Sequence, residues 1–234
     1  MAEVKILYED KDIIVVVKPA GMASQEERSA DMDMVSWLKN YFVREKKVKG
    51  MPYIGVIHRL DKPVGGVMVY AKTQQAAGKL SEQVRGNKMT KEYLAVLTGT
   101  LPKKEGRLED MLLSNGKTNR TEVVAPKTIG AKKAVLEYKV KRTKFDQGQQ
   151  YSLVNVHLIT GRRHQIRVQM AHAGAGLWGD TRYNPVFADK KGWFDLALFA
   201  WYLEFDHPVT KKHLTFKVPA GSQITAHFKA EECK

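Results

Sequence analysis

Cysteine is nearly absent from this chain. Cys233 is the only one in 234 residues, so no internal disulfide can form and no thiolate cluster can hold a metal. Long apolar runs are missing as well. Ile13–Val17, the clearest, falls far short of the ~20 residues that a membrane helix needs. Set between a charged segment and Pro19, it reads as a buried strand and not as the core of a signal peptide. No basic amphipathic helix with a bulky apolar face is evident, so membrane binding is not expected. Nor is there a targeting segment, and a cytoplasmic protein is the expectation. Acidic residues are scarce: Asp and Glu number 25 against 39 Lys and Arg. A glycine-rich phosphate loop, an HExxH string and a carboxylate cluster are all missing, which argues against phosphoryl transfer and metal-dependent hydrolysis. No internal repeat or low-complexity block stands out.

The shortage of acid leaves a formal net charge of +14 and a pI near 9.7. Excess charge of this size attracts polyanions at long range, and here it is spread over many segments instead of gathered in a tail. Hydrophobic residues make up 43% and aromatics 9%, enough for a folded core.

Alternation of apolar and polar residues predicts strands at Lys11–Val17, Val64–Ala71, Lys91–Leu97, Val135–Arg142, Tyr151–Ile159, Trp201–Phe205 and His213–Val218. A helix is predicted over 33–44, where Met34, Trp37, Leu38, Tyr41 and Phe42 share a face behind Asp33 as cap. A second spans 74–85, between Thr73 and Gly86. A third is expected to begin near Arg162, capped by Thr160 and burying Ile166, Met170 and Ala173; a short fourth falls near 222–230. Segment 101–133, rich in Lys, Gly, Thr and Asn, is expected to be the most mobile. Strands with helices between them, without strict βαβ alternation, predict an α+β fold with a mixed sheet in one domain, 1–234.

Two segments carry the chemistry. In His58–Gly66 a strand ending near Arg59 is expected to deliver Asp61 into a turn that Pro63, Gly65 and Gly66 shape. From spacing alone Asp61 is equally a turn initiator and a catalytic carboxylate. In Thr160–Arg167 three arginines open a helix, with Arg163 and Arg167 placed on one face. His164 and Gln165 read as structural or hydrogen-bonding groups, and His58 as structural. Leu196–Ala200 reads as core.

These strings also carry a family resemblance. HRLDKPVGGVMVYAKT (58–73), KEYLAVLTG (91–99), LITGRRHQIRVQMAHAG (158–174) and GDTRY (179–183) resemble the RluA-type family of RNA pseudouridine synthases. LYEDKDIIVVVKPAGM (7–22) resembles the family's first strand and lysine-proline turn, and residues 196–220 its closing hairpin. Two departures stand out: Val64-Gly65 replaces the common Thr-Ser, and Arg163 replaces a small hydroxyl residue.

The resemblance implies a largely antiparallel sheet flanked by helices around a central cleft; a small RNA-binding appendage often precedes this domain in the family, and since the family-like strand begins by residue 7 none is expected here. It implies isomerisation of uridine in RNA to pseudouridine with no cofactor and no metal. Asp61 matches the essential aspartate, acting as nucleophile or base. Tyr93 matches the active-site tyrosine, against the plain reading of a core-facing strand residue. Arg167 matches the partner of the acid. Arg59 matches a position that fills the gap left by a flipped base, and Arg162 and Arg163 are assigned to RNA phosphates. Leu196–Ala200 would form one wall of the uracil pocket. Ribosomal RNA is the expected substrate and transfer RNA the rival, with a monomer as the default state. A catalytically inactive RNA-binding protein of the same fold, acting in ribosome assembly, is the alternative.

Overall fold

The computed structural model describes residues 4–27, 31–146 and 148–233. In chain order its elements are β1 (Lys5–Glu9), β2 (Ile13–Lys18), α1 (Met34–Arg44), β3 (Gly55–Val56), β4 (Gly65–Ala71), α2 (Gln74–Arg85), β5 (Thr90–Thr98), β6 (Glu105–Asn115) and β7 (Arg120–Val124). They continue with β8 (Lys132–Asp146), β9 (Gln149–Leu158), α3 (Gln165–His172), α4 (Pro185–Ala188), β10 (Leu198–Asp206), β11 (His213–Lys217) and α5 (Ser222–Thr225). A 3₁₀ turn at Ala230–Cys233 closes the chain's described part. Two compact units result. One takes the described residues through Thr90 together with Ala200–Val218, the other Lys91–Phe199 together with the described residues from Pro219.

In the first unit the strand order is β1-β2-β4-β10, with β11 on β10 and β3 on β4. The pairings β1–β2, β2–β4, β3–β4 and β10–β11 are antiparallel. Every residue of β4 is buried, as are five of the six in β2, so both strands are covered on two faces and read as unbroken apolar runs. The helices form from local signals. Asp33 accepts from Val35 N at 2.8 Å and Ser36 N at 3.2 Å, satisfying amides that the first turn of α1 leaves open. Met34, Leu38 and Phe42 are buried, while Trp37 and Tyr41 stack on the helix flank with ring centroids 5.6 Å apart. Thr73 caps α2 in the same way through Ala76 N, and the helix stops at Gly86.

The second unit orders its strands β5-β9-β8-β6-β7, with β5–β9, β8–β9, β6–β8 and β6–β7 antiparallel. Leu94–Leu97, Ala134–Leu136, Leu153, Val154 and Val156 build its interior with Ile166 and Met170 of α3. Leu196–Ala200 are buried as expected.

Four expectations need correction. No strand ends near Arg59: β3 stops at Val56 after two residues. Segment 101–133 is not a loose stretch, because β6 and β7 form a hairpin that pairs onto β8. The third helix starts at Gln165, so Arg162 and Arg163 precede it and do not share a face with Arg167. Thr160 does not cap it, since its hydroxyl donates to Gln165 Oε1 at 2.8 Å, and its inward face is Ile166 and Met170 while Ala173 is half-buried. Finally, 222–230 divides between α5 and the start of the 3₁₀ turn.

Candidate active site

Asp61 and Arg59 belong to the first unit, and Tyr93, Arg162, Arg163 and Arg167 to the second. Asp61 is half-buried at the head of a turn closed by Val64 N donating to Asp61 O at 2.9 Å. Gly66, which follows, has φ +133°, and a Cβ there would sit 2.2 Å from Ala200 O. Only glycine fits that position. Arg59, just before, is exposed, and His58 Nε2 accepts from Val69 N at 3.2 Å, a structural use.

What holds this loop is a residue that motif reasoning left in the background, Lys18. Its side chain has no exposure, and Nζ donates to Pro19 O (3.0 Å), Met22 O (2.5 Å) and Lys62 O (3.2 Å). Lys62 O also accepts from Gly21 N at 2.8 Å, which ties the lysine-proline turn to the Asp61 turn twice. On the other side Ser24 Oγ donates to Leu60 O at 2.7 Å and accepts from Leu60 N at 3.0 Å. Burial pushes the Lys18 amine down to about 7, while the Asp61 and Glu27 carboxylates pull it back up. The visible signal was a lysine ending an apolar strand, which a solvated strand end would explain equally well.

That depressed value gives a pH prediction. Between about 7 and the usual 10.5, the unfolded chain holds a proton that folded Lys18 has released. Stability conferred at this site therefore rises with pH through that window and no longer changes with pH below about 7, where both states hold the proton. Compared with Lys18→Met, the wild-type chain is expected to gain about 2 kcal/mol between pH 7.5 and 9.5, at ~1.4 kcal/mol per unit. Urea unfolding of both proteins at the two pH values measures it, and parallel curves would contradict the buried-amine account.

In the second unit Tyr93 lies on β5 opposite Val156 and is 6% exposed. Its neighbour Lys91 is also buried, and burial lowers its amine. Lys91 Nζ lies 3.7 Å from where a Cβ on Gly161 would be, so it abuts the arginine-bearing loop. Gln165 shapes that loop: Oε1 accepts from Thr160 Oγ1 and from Arg162 N (2.9 Å), and Nε2 donates to Val135 O (3.0 Å). His164 takes φ +51° at the helix start and offers no side-chain cap. Its Nδ1 is 2.7 Å from Tyr183 OH instead.

Arg167 is held by Asp180, a pairing the sequence reading did not make. Nε donates to Oδ2 and Nη2 to Oδ1, both at 2.8 Å, with the two side chains 9% and 0% exposed. Such a two-pronged pair fixes the guanidinium plane. The Tyr183 ring lies 5.1 Å beneath it, and Asp180 Oδ1 also accepts from Arg182 N and Tyr183 N. Gly179 permits the approach: a Cβ there would meet Asp195 O at 2.3 Å. The GDTRY string is thus the socket for Arg167. Arg162 and Arg163 are exposed; Arg162 Nε donates to Lys133 O at 2.9 Å, and Arg163 Nη2 donates to Asn119 Oδ1.

Among the described residues Asp10, Asp12 and His207 come together as metal ligands might. His207 Nδ1 accepts from Val209 N (3.2 Å) and Thr210 N (3.0 Å), which leaves the proton on Nε2, donated to Asp10 Oδ2 at 2.8 Å. The imidazole lone pair that a metal needs is spent on backbone, so this is a clamp between two turns. A depression of about 430 Å³ lined by Glu105, Arg107, Glu137 and Lys139 contains none of the candidate residues. Its charges are mutually paired, Arg107 with Glu137 at 3.1 Å and Lys139 with Glu105 at 4.0 Å.

The fold is α+β with mostly antiparallel strands, and it carries a half-buried carboxylate in a braced turn and a socketed arginine. Residues 12–172 match the RNA pseudouridylate synthase family. The chain is 34% identical over 231 residues to ribosomal large subunit pseudouridine synthase D of Vibrio cholerae, covering 94% of this chain and 68% of that one. It is 30% identical over 230 residues to an uncharacterized RNA pseudouridine synthase of Helicobacter pylori, covering 97% of this chain and 69% of the relative. Among solved structures, human RNA pseudouridylate synthase domain containing 4 superposes with a TM-score of 0.77 at 22% identity, covering 94% and 90% of the two chains. The chain belongs to the RNA pseudouridine synthase family, in its RluA-type branch. Its members are isomerases of uridine in RNA. Among the described residues no helix is long and apolar enough to cross a membrane.

Proposed function

We propose that this protein converts uridine in ribosomal RNA to pseudouridine, with Asp61 as the catalytic carboxylate and residues 1–234 acting as one catalytic domain. The reading is supported by the family match over 12–172 together with Asp61 at the head of a turn braced by Lys18 and Ser24. The Vibrio cholerae relative is named for the large ribosomal subunit, which favours ribosomal over transfer RNA.

In this reading the target nucleotide leaves its stack, a cost of a few kcal/mol that is smallest in a loop. Stacking on an aromatic or guanidinium plane returns ~1–3 kcal/mol, so capture of a loop uridine is close to balanced. Tyr93 supplies the aromatic face, and Arg59 fills the vacated position. Asp61 attacks or deprotonates the nucleoside, the N1–C1′ bond breaks, uracil turns, and C5 bonds to C1′ before losing its proton. Arg167, its plane set by Asp180, is assigned as the partner of the acid. Arg162 and Arg163 hold phosphates.

Mapping pseudouridines in total RNA from cells with and without the protein tests the substrate. Sites that vanish from ribosomal RNA support the proposal, and sites lost only from transfer RNA would redirect it. The arginine roles separate in kinetics. Arg167→Ala is expected to cut the single-turnover rate at saturating RNA by ~10²-fold or more while leaving affinity nearly intact. Arg162→Ala is expected to weaken binding across RNA sequences. If Arg167→Ala damages only affinity, the two assignments are exchanged.

A further inference from the structure

We infer that the tip of the β6–β7 hairpin and Arg182 form a second phosphate-binding platform, which takes the RNA strand beyond the nucleotide being modified. This rests on the proposal that the substrate is RNA. The tip is built, not loose. Asn115 Oδ1 accepts from Lys117 N at 2.9 Å and Thr118 N at 3.3 Å, and the Ser114 and Thr121 hydroxyls bond across the strands at 2.9 Å. Asn119, in the left-handed region at φ +53°, turns both of its oxygens to arginine. Its side-chain oxygen accepts from Arg163 and its carbonyl from Arg182, while the next residue, Arg120, donates to Arg182 O at 3.0 Å. Two guanidiniums therefore converge on Asn119, a third, that of Arg120, is tied to the backbone of Arg182, and Arg162 is anchored on β8 through Lys133 O.

No carboxylate neutralises them. Among the described residues, none of Arg120, Arg162, Arg163 and Arg182 has an acid within ion-pair distance, and each is held by oxygens that carry no net charge. Further along the same strands the chain does supply acids. Arg107 pairs with Glu137 and Glu109, and Lys133 pairs with Glu109. Like charges gathered by neutral tethers repel one another, and a polyanion is what relieves that repulsion. Arg120 lies on the exposed surface and Arg182 is half-buried, each donating to a carbonyl. Thr121 N also donates to Tyr183 OH at 2.9 Å, so the hairpin leans on the tyrosine that supports Arg167. Arg163 replaces the family's small hydroxyl residue at the point where this platform meets the motif loop, which gives that departure a physical reason.

The test is the salt dependence of binding to a fluorescein-labelled RNA hairpin, measured for the wild-type chain, Arg120→Gln/Arg182→Gln and Arg120→Lys/Arg182→Lys. Each phosphate contact contributes ~0.7–0.9 to the slope of log K against log salt. The Gln pair is expected to lower the slope by ~1.4–1.8 and to raise Kd about tenfold or more at 0.1 M salt. The Lys pair, which keeps the charge, is expected to retain most of the slope. An unchanged slope in the Gln pair would overturn the inference. So would an equal fall in both pairs, because that would mean the arginines only dock the hairpin. A wild-type chain that binds RNA with this slope but forms no pseudouridine would instead overturn the reaction proposed above and leave the platform standing.

Discussion

Asp61→Asn is expected to abolish tritium release from RNA carrying 5-tritiated uridine, a loss of ~10²–10⁴-fold or more, with RNA affinity little changed. The substitution keeps the size of the side chain and the turn hydrogen bond from Val64 N to the backbone of residue 61, so the loop fold survives it. It removes the negative oxygen pair, and with it either a nucleophile or a base. Phosphate contacts from arginine and lysine generally dominate RNA affinity, and the change leaves those side chains in place. Full tritium release by the variant would show that chemistry lies elsewhere. It would also revive the alternative of an RNA-binding protein that keeps the fold without catalysis.

Asp180→Ala is expected to have the largest effect on stability, a loss of about 3–5 kcal/mol. It strips a buried guanidinium of a two-pronged partner whose side chain has no exposure. It also orphans Arg182 N and Tyr183 N, which donate to the same carboxylate. Asp180→Asn keeps an acceptor for those amides and is expected to cost less. Denaturant unfolding of the three proteins decides it: a loss below ~1 kcal/mol in the Ala variant would mean that Arg167 finds other support. Where the Ala variant still folds, its RNA chemistry is expected to fall with that of Arg167→Ala, since an unsocketed guanidinium no longer has a fixed plane.

Local signals were read correctly because they are local. Asp33 and Thr73 cap their helices through side chains that bond amides two or three residues on, and nothing distant intervenes. The alternating and continuous apolar runs of β2, β4 and β9 report burial directly. The third helix was misplaced by three residues because Thr160, a sound cap by type, is drawn off by Gln165, whose amide must bond Val135 O on β8. The β6–β7 hairpin was missed for a similar reason. Its lysines, threonines and asparagines give a weak pattern alone, and pairing with β8 is what makes it a sheet.

The candidate residues divide in the same way. The family resemblance of the motif strings selected Asp61, Tyr93, Arg59 and the three arginines of 162–167, where residue type and spacing alone left Asp61 open. The supports were hidden. Lys18 lies 44 residues from the carbonyl of Lys62, and Arg163 the same distance from Asn119. Composition pointed towards a polyanion partner and excluded an internal disulfide, and periodicity with local caps carried the α+β class and the capped helices, since each depends on residue counts or on neighbours within a turn. Which acid sockets Arg167, what braces the Asp61 turn and where the hairpin arginines converge depended on the tertiary structure, because those contacts join residues whose distance along the chain says nothing about their distance in space.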